Sequence, residues 1–208
     1  MATDGRGMRE ARARFLLGLL LSEIFKDECA AELLGDAIDY APDLAAARVE
    51  LGVVYCQQER YAEMLGEFRE AVSTDPRAVR AAVGEEPREL EHLRGLVYPR
   101  QDATDAAVQI RAPAIPSPFR ESGELVELGR EQIAQGCDAA AVATLEAALK
   151  LDATHRYAVA LLALAYVLLG REAGVTTAEA GGSVLWEAEP ALAGLLFKRR
   201  GSTPSNSH

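Results

Sequence analysis

A Leu-Gly dipeptide recurs at a fixed interval in this chain, at Leu17-Gly18, Leu51-Gly52 and Leu128-Gly129. The step from Gly18 to Gly52 defines the interval. The same step taken from Gly129 reaches Gly95 in one direction and Ala163 in the other, so only the interval from Gly52 to Gly95 is irregular, being longer than the rest. A period of this length is typical of stacked supersecondary units and predicts a repeat architecture.

A second set of positions follows each glycine at constant offsets. It consists of Ala30, Leu34 and Ala37, then Met64, Phe68 and Ala71, then Ala141, Leu145 and Ala148. These spacings of four and three residues place each set on one helical face, so each unit reads as a pair of antiparallel helices. Two helices cross closely only where a side chain is small, and we expect each glycine to face the first member of its set. Pro42 and Pro76 are expected to end the second helices of the first two pairs.

The repeat resembles the tetratricopeptide family, in its bacterial-type members, whose 34-residue pattern reads W-x2-L-G-x2-Y, A-x3-F and P. The match is fullest in "RVELGVVY…MLGEF…DP", where Arg48 replaces the aromatic residue and Met64 the small one. The fourth unit keeps Leu162, Ala163 and Tyr166. The resemblance implies an all-α solenoid of antiparallel helix pairs, with an irregular insert between repeats two and three and a C-terminal capping helix.

Four segments follow from this phase. Residues 8–78 are predicted to hold helix pairs one and two, and residues 79–121 an irregular insert or degenerate repeat. Residues 122–200 are predicted to hold pairs three and four with the capping helix, and residues 201–208 a disordered tail.

Within the insert, a short helix is expected from Pro87 to Tyr98, since proline suits a first helical position. The strap "APAIPSPF", residues 112–119, is expected to be extended because each proline biases its predecessor away from helix. Asp43 and Thr154 are predicted to cap the helices that follow them.

The apolar segment "RARFLLGLLLSEIF", residues 12–25, resembles a secretory signal in its order of charged and then apolar residues. Its uninterrupted apolar run is only seven residues, and charged side chains occupy the region where cleavage would occur. Gly18 lies one repeat interval before Gly52, which favours assigning this segment to the first helix of pair one. The chain is therefore predicted to be cytoplasmic, with export as the alternative.

Charge and motifs exclude several functional classes. A net charge of −10 repels phosphate backbones and disfavours nucleic acid as a partner. The three cysteines and three histidines have no metal-site spacing, and no paired acids, nucleophile motif or phosphate loop occurs. His155 is expected to be a surface or capping residue. We expect no enzyme activity, no cofactor, no metal and no membrane insertion.

In the family the first helix of each pair lines a concave face that binds peptides. Carried over to this chain, the resemblance implies a concave stripe made of Phe15, Leu19, Ser22, Val49, Val53, Cys56, Val126, Arg130, Ile133, Tyr157, Ala160 and Leu164. The stripe is mostly apolar, and Arg130 alone suits a carboxylate clamp. Its occupant is therefore expected to be an apolar or amphipathic protein segment. The alternative is that residues 86–119, residues 190–200 or a second copy of the chain fills it.

Three functions are consistent with these features. The first is a non-enzymatic scaffold or adaptor that binds a protein partner in the concave groove. The second is a structural solenoid that forms a homo-oligomer through the groove. The less favoured third is a small enzyme or apolar-ligand carrier on the same helical scaffold. A chaperone for apolar substrates is a special case of the first function.

Overall fold

The fold is known from a computed structural model that describes residues 5–97 and 117–172. In these two ranges the chain forms nine α-helices and no strand, which confirms the all-α prediction. They are α1 (Gly5–Glu23), α2 (Asp27–Tyr40), α3 (Ala45–Gln57), α4 (Tyr61–Thr74), α5 (Pro76–Gly84), α6 (Arg88–Val97), α7 (Ser117–Ala134), α8 (Asp138–Leu151) and α9 (Arg156–Glu172).

Consecutive helices pack against each other in series. The most extensive contacts join α1 to α2, α3 to α4 and α7 to α8, so three of the predicted pairs are present as hairpins. Further contacts join α2 to α3 and α8 to α9, which stacks neighbouring units. The predicted fourth pair is represented by α9, since its expected second helix, the capping helix and the tail lie outside the described residues.

The three repeat glycines lie where the two helices of a pair cross. A Cβ added at Gly18 would lie 2.8 Å from Leu34 Cγ, and one at Gly129 would lie 2.6 Å from Leu145 Cγ. At Gly52 it would overlap the ring of Phe68, with Cδ1 at 2.7 Å. The missing side chain is thus replaced by a large one from the facing helix.

The side chain that faces each glycine is not the predicted one. Ala30, Met64 and Ala141 were expected at the crossings, and all three are fully buried. The side chain four positions later in each set makes the close contact, because one further turn of the second helix brings it directly over the glycine. At Gly18 the expected residue also contributes, through the Ala30 carbonyl oxygen, 3.4 Å from an added Cβ.

The turn inside each hairpin contains a residue with positive φ, at Phe25 (58°), Glu59 (63°) and Gly136 (78°). The residue after it donates its N–H to a carbonyl five positions back, as Arg60 does to Tyr55 at 2.8 Å. Phe25 and Glu59 are separated by the same interval as the first two repeat glycines, so the turn geometry repeats with the helices. Only the third turn uses glycine, the residue that adopts this conformation without strain.

Helix α5 crosses the predicted boundary between pair two and the insert at residue 78, and the sequence analysis did not predict it. Pro76 is the first residue of α5, and the Asp75 carboxylate caps that helix by accepting N–H bonds from Arg77 and Ala78. A proline that cannot extend α4 is well suited to start α5, because its own N–H is not needed there. The later insert helix is confirmed as α6.

Two smaller expectations are wrong. Residues 117–119 of the strap form the first turn of α7 instead of extended chain, while residues 112–116 lie outside the described ranges. Neither predicted cap is used: Leu44 is at the N-cap of α3, and His155 Nδ1 accepts the Ala158 N–H at 3.3 Å at the start of α9. The capping role expected for His155 is confirmed.

The apolar core consists of two clusters. One joins α1, α2 and α3 and includes Leu90 of α6. The other joins α3, α4 and α5 to α7, α8 and α9. Residues 12–23 of the opening segment are helical and contribute Phe15, Leu19 and Leu20 to the first cluster. No helix in the described part of the chain is long and apolar enough to cross a membrane.

Candidate functional site

The concave stripe is buried in this structure. Ser22, Arg130 and Tyr157 are half-buried, and the remaining nine side chains are fully buried: Phe15, Leu19, Val49, Val53, Cys56, Val126, Ile133, Ala160 and Leu164. The expected open groove is therefore filled by the chain itself. Three helices fill it: α6 lies over the first pair, α9 over the second, and α5 between the second and third pairs.

Helix α9 makes the second part of the stripe internal. It packs against α3 and α4 as well as α7 and α8. Cys56 donates its thiol hydrogen to the Arg156 carbonyl at 3.4 Å, and the Arg156 guanidinium pairs with Glu59 at 3.1 Å. The expected fillers were residues 86–119, residues 190–200 or a second copy, so α9 was not anticipated. It shares one apolar cluster with Val49 and Val53.

Helix α6 covers the first part of the stripe, as expected for a segment within residues 86–119. Leu90 is 2% exposed and belongs to the same cluster as Phe15 and Leu19, and Leu93 packs against that cluster. At one end Arg12 pairs with Glu89 at 2.5 Å. Another ion pair lies at the opposite end of this contact.

That second ion pair joins α6 to the last residue of α1. Arg94 donates from Nε to Glu23 Oε2 at 2.9 Å and from Nη2 to Glu23 Oε1. Arg94 also pairs with Glu86 and Glu91. The contact between α1 and α6, which we call the α6 site, is thus an apolar strip bounded by a basic residue and an acidic residue of α1.

A titratable carboxyl group lies beside the α6 site. Glu50 on α3 is half-buried, and its pKa is raised to about 7, chiefly because burial disfavours the charged form. The negative charges of Glu23 and Glu86 raise the pKa further. Glu50 also contributes, after burial, to a raised pKa at Tyr157 of α9. A carboxyl group whose pKa is raised to about 7 therefore lies on α3 within the electrostatic influence of Glu23 and Glu86.

Replacing Glu50 is expected to change how stability depends on pH. Its pKa in the folded chain lies above the usual value of 4.5, so the stability that the protonated form provides is complete below pH 4.5 and is lost as pH rises to about 7. Glu50→Gln has no charge to bury. The free energy of unfolding of the variant should exceed that of the wild type by about 2 kcal/mol at pH 8, a moderate difference because Glu50 is partly exposed. The two free energies should match near pH 4.5.

Urea unfolding between pH 4.5 and pH 8 measures this effect. Glu70→Gln is the control, since Glu70 is an exposed glutamate on α4 and the same chemical change there should leave the pH profile unaltered. Parallel profiles for the wild type and Glu50→Gln would contradict the placement of Glu50 in a desolvated environment.

Arg130, the one stripe residue suited to a carboxylate clamp, is engaged within the chain. Its Nη1 donates to the carbonyls of Val83 at 2.9 Å and Gly84 at 3.2 Å, and its Nε pairs with Glu127 at 2.9 Å. A guanidinium at these carbonyls satisfies the end of α5 and complements its dipole. Its role here is to join α7 to the insert.

A second surface feature lies at the turn edge of the first two pairs. Phe25 is 84% exposed in its left-handed turn. It borders an open cleft of about 1040 Å³ that is also lined by Ala31, Tyr55 and Arg60, with the Arg60 guanidinium 4.3 Å from the centre of the Tyr55 ring. Acidic side chains, Asp27, Glu28 and Glu32, complete the lining. The sequence analysis missed this cleft.

The α6 site was also missed as a site, although its signal is present in the sequence. "EEPRELEHLRG" reads as a solvated charged helix, yet Leu90 and Leu93 stand three residues apart on one face. Among the described residues, no group of three or more His, Cys, Asp or Glu side chains is arranged to hold a metal ion.

Comparisons of the chain with protein-family models, with curated proteins and with solved structures found no match. Membership of the tetratricopeptide family therefore stays a prediction that depends on the repeat period, the glycine crossings and the repeated turn.

Proposed function

We propose that this chain is a non-enzymatic scaffold that binds an amphipathic helix of a partner protein at the α6 site. The observation that carries the proposal is α6 itself. An amphipathic helix already lies on the concave stripe of pair one, with two leucines against Phe15 and Leu19 and charged residues on both sides. Helix-in-groove recognition uses the same chemistry, with apolar anchors three or four residues apart.

Helix α6 is less deeply buried than α9, which favours α6 as the helix that a partner helix could displace. Helix α9 is buried from Ala158 to Ala165 and belongs to the larger cluster. Helix α6 places Leu90 and Leu93 in the smaller cluster, and its ion pairs with α1 involve half-buried or exposed side chains. Such pairs contribute about 0–1 kcal/mol each, so α6 is expected to open locally at a lower free energy than α9.

The roles of the more buried polar side chains support a non-enzymatic reading. Arg80 pairs with Asp138 between α5 and α8, Arg48 pairs with Glu67 within pair two, and Ser122 donates to the Ala148 carbonyl within pair three. Each of these groups joins one helix to another. Buried polar side chains that link helices are typical of proteins in which these groups hold the fold together.

Self-association is a second candidate because of two exposed leucines. Leu51 is buried between pairs one and two, whereas Leu17 and Leu128, at the same place in the first and third repeats, are 46% and 45% exposed. A second copy that packs against either leucine would cover it. Light scattering across a concentration series separates the candidates, since a monomer at every concentration removes this one.

Leu90→Glu tests the scaffold. A buried carboxylate at this position should undock α6 and expose the α6 site, which should raise apparent affinity for the partner about tenfold or more, because binding then no longer competes with the covering helix. His92→Glu is the matched control, since it adds a carboxylate at an exposed position of the same helix. The measurement is quantitative cross-linking mass spectrometry on the tagged full chain.

Proteins enriched by Leu90→Glu but not by His92→Glu, and cross-linked to α1, would support the scaffold. Equal enrichment by both variants and the wild type, with helicity retained by circular dichroism, would contradict it.

A further inference from the structure

We infer that the partner helix presents on one face an acidic residue, two leucine-sized apolar residues three positions apart and an arginine, in that order along its chain. This rests on the proposed function and names the partner chemistry of the same site. The α6 sequence "ELEHLR", residues 89–94, supplies this order within the chain. The partner is then a helix that reproduces these contacts in place of α6.

The acidic residue is specified by Arg12. This arginine lies on the same face of α1 as Phe15 and Leu19, and its side chain is 62% exposed even while it pairs with Glu89. When α6 leaves, the guanidinium loses this partner but keeps its position at the edge of the apolar strip. An incoming helix with a carboxylate at the place of Glu89 restores the pair.

The apolar pair is specified by the strip itself. Leu90 and Leu93 are three residues apart, so they lie on one face of α6 and meet the cluster that contains Phe15, Leu19 and Leu20. Undocking of α6 would expose this apolar surface to water, which is unfavourable until another apolar helix face covers it. Two branched apolar side chains at the same spacing would cover it again.

The arginine is specified by the acidic end of the site. Glu23 is the last residue of α1, where the helix dipole already contributes negative potential. Glu86 and the desolvated carboxyl group of Glu50 lie near Glu23, and burial together with these two charges raises the pKa of Glu50. A positively charged side chain is therefore favoured at the Glu23 end of the α6 site. The Arg94 guanidinium supplies it and donates to both carboxylate oxygens of Glu23.

The two charged ends also fix the direction of the partner helix. A helix placed in reverse would bring its acidic residue to Glu23 and its arginine to Arg12, and like charges opposed at both ends disfavour that arrangement. Order along the chain is thus part of the recognition chemistry.

A charge-swap experiment tests the inference. The receiver is the full chain with Leu90→Glu and Leu93→Glu, in which two carboxylates at buried positions are expected to undock α6. The probes are fluorescent peptides of residues 86–97, EPRELEHLRGLV, each with both leucines retained. One keeps the native charges and the other carries Glu89→Arg and Arg94→Glu. Fluorescence anisotropy should give at least tenfold tighter binding of the native peptide.

A second receiver adds Arg12→Glu and Glu23→Arg and should reverse that preference. Equal binding of both peptides, a preference that does not reverse, or no binding by a receiver that retains its helicity would each overturn the inference. If cross-linked partners are still enriched by Leu90→Glu while the peptides show no preference, the inference fails and the scaffold stands. If the peptides show the preference but no partner is enriched, the charge order of the α6 site is supported and the scaffold function is contradicted, and with it the assignment of a partner protein.

A second measurement uses chains in which α6 keeps its leucines. Arg94→Glu should lower the hydrogen-exchange protection of residues 88–94 about tenfold. Arg94→Glu with Glu23→Arg should restore part of it, since Glu86 and Glu91 still lie beside position 94. Unchanged protection in both variants would overturn the charge pairing. If the wild type is a dimer that the native peptide dissociates, the occupant is α6 of a second copy and the partner assignment is overturned.

Discussion

Gly52→Ala is expected to destabilise the fold by about 2–3 kcal/mol, although alanine is the better helix former. The added methyl would overlap the Phe68 ring, which is fully buried and packed at the crossing of α3 and α4. Either the ring leaves its rotamer or the two helices separate, and both disturb the larger core cluster. The midpoint of urea-induced unfolding should fall with an unchanged slope.

Gly66→Ala is the matched control for this substitution. Gly66 is also in the interior of a helix, α4, and a Cβ added there meets nothing within 4 Å. This change should stabilise the chain by about 0.5–1 kcal/mol through helix propensity alone. A Gly52→Ala variant as stable as Gly66→Ala would contradict the close crossing.

Phe68→Ala should partly rescue Gly52→Ala. The truncated side chain leaves space for the added methyl, so the double variant should be less destabilised than the sum of the two single changes, by about 1 kcal/mol or more. Leucine would not leave enough space, because a Cβ added at Gly129 would lie 2.6 Å from Leu145 Cγ. Additive effects would show that the contact is not shared.

The sequence predicted the crossings because a close approach of two backbones needs a missing side chain, and a missing side chain is visible as glycine. It did not predict which facing residue would fill the space. Ala30 and Leu34 lie on the same face of α2, one turn apart, and both are fully buried. Choosing between them needs the relative shift of the two helices, which the packing of the whole pair determines.

The filled groove was harder to predict, because an apolar stripe is compatible with either a bound partner or an internal neighbour. Val53 and Leu164 lie in one cluster although they belong to the second and fourth units of the repeat. Nothing local to α3 indicates that α9 returns to cover it. The charged segment before and within α6 was similarly ambiguous, since its outer face resembles that of any solvated helix.

The placement of α5 could have been predicted in part. Asp75-Pro76 is a capping residue followed by a proline at the first helical position, which is a common helix start. Pro76 was predicted only to end α4, so the start of a new helix at the same residue was not predicted. What the sequence could not indicate is that Arg80 of this helix reaches the first residue of α8, 58 positions later.

Arg80→Ala is expected to destabilise the fold by about 3–5 kcal/mol. The guanidinium binds Asp138 in a fork, with Nη1 to Oδ1 at 2.5 Å and Nη2 to Oδ2 at 2.7 Å, and Nη1 also donates to the Ile133 carbonyl at 3.0 Å. The Asp138 side chain is fully buried, and removal of Arg80 leaves its carboxylate uncompensated.

Arg77→Ala is the control, because Arg77 is exposed on the same helix and should change stability by less than about 0.5 kcal/mol. Arg80→Met with Asp138→Leu should recover much of the loss, since removing both charges leaves no unpaired group. Thermal and urea unfolding of the four chains measure these differences. A double variant less stable than Arg80→Ala would contradict the assignment of the loss to a buried carboxylate.

The same substitution tests how the two halves of the array are connected. Helix α5 contacts α3 and α4 on one side and α7 on the other, and the Arg80 fork is its ionic link to the third pair. If α5 joins pair two to pair three in place of a regular helix pair, Arg80→Ala should destabilise the contact between α5 and α7 more than the helix crossings inside each pair. Hydrogen exchange should then rise first in residues 76–84 and 131–138, while α1 and α2 keep their protection.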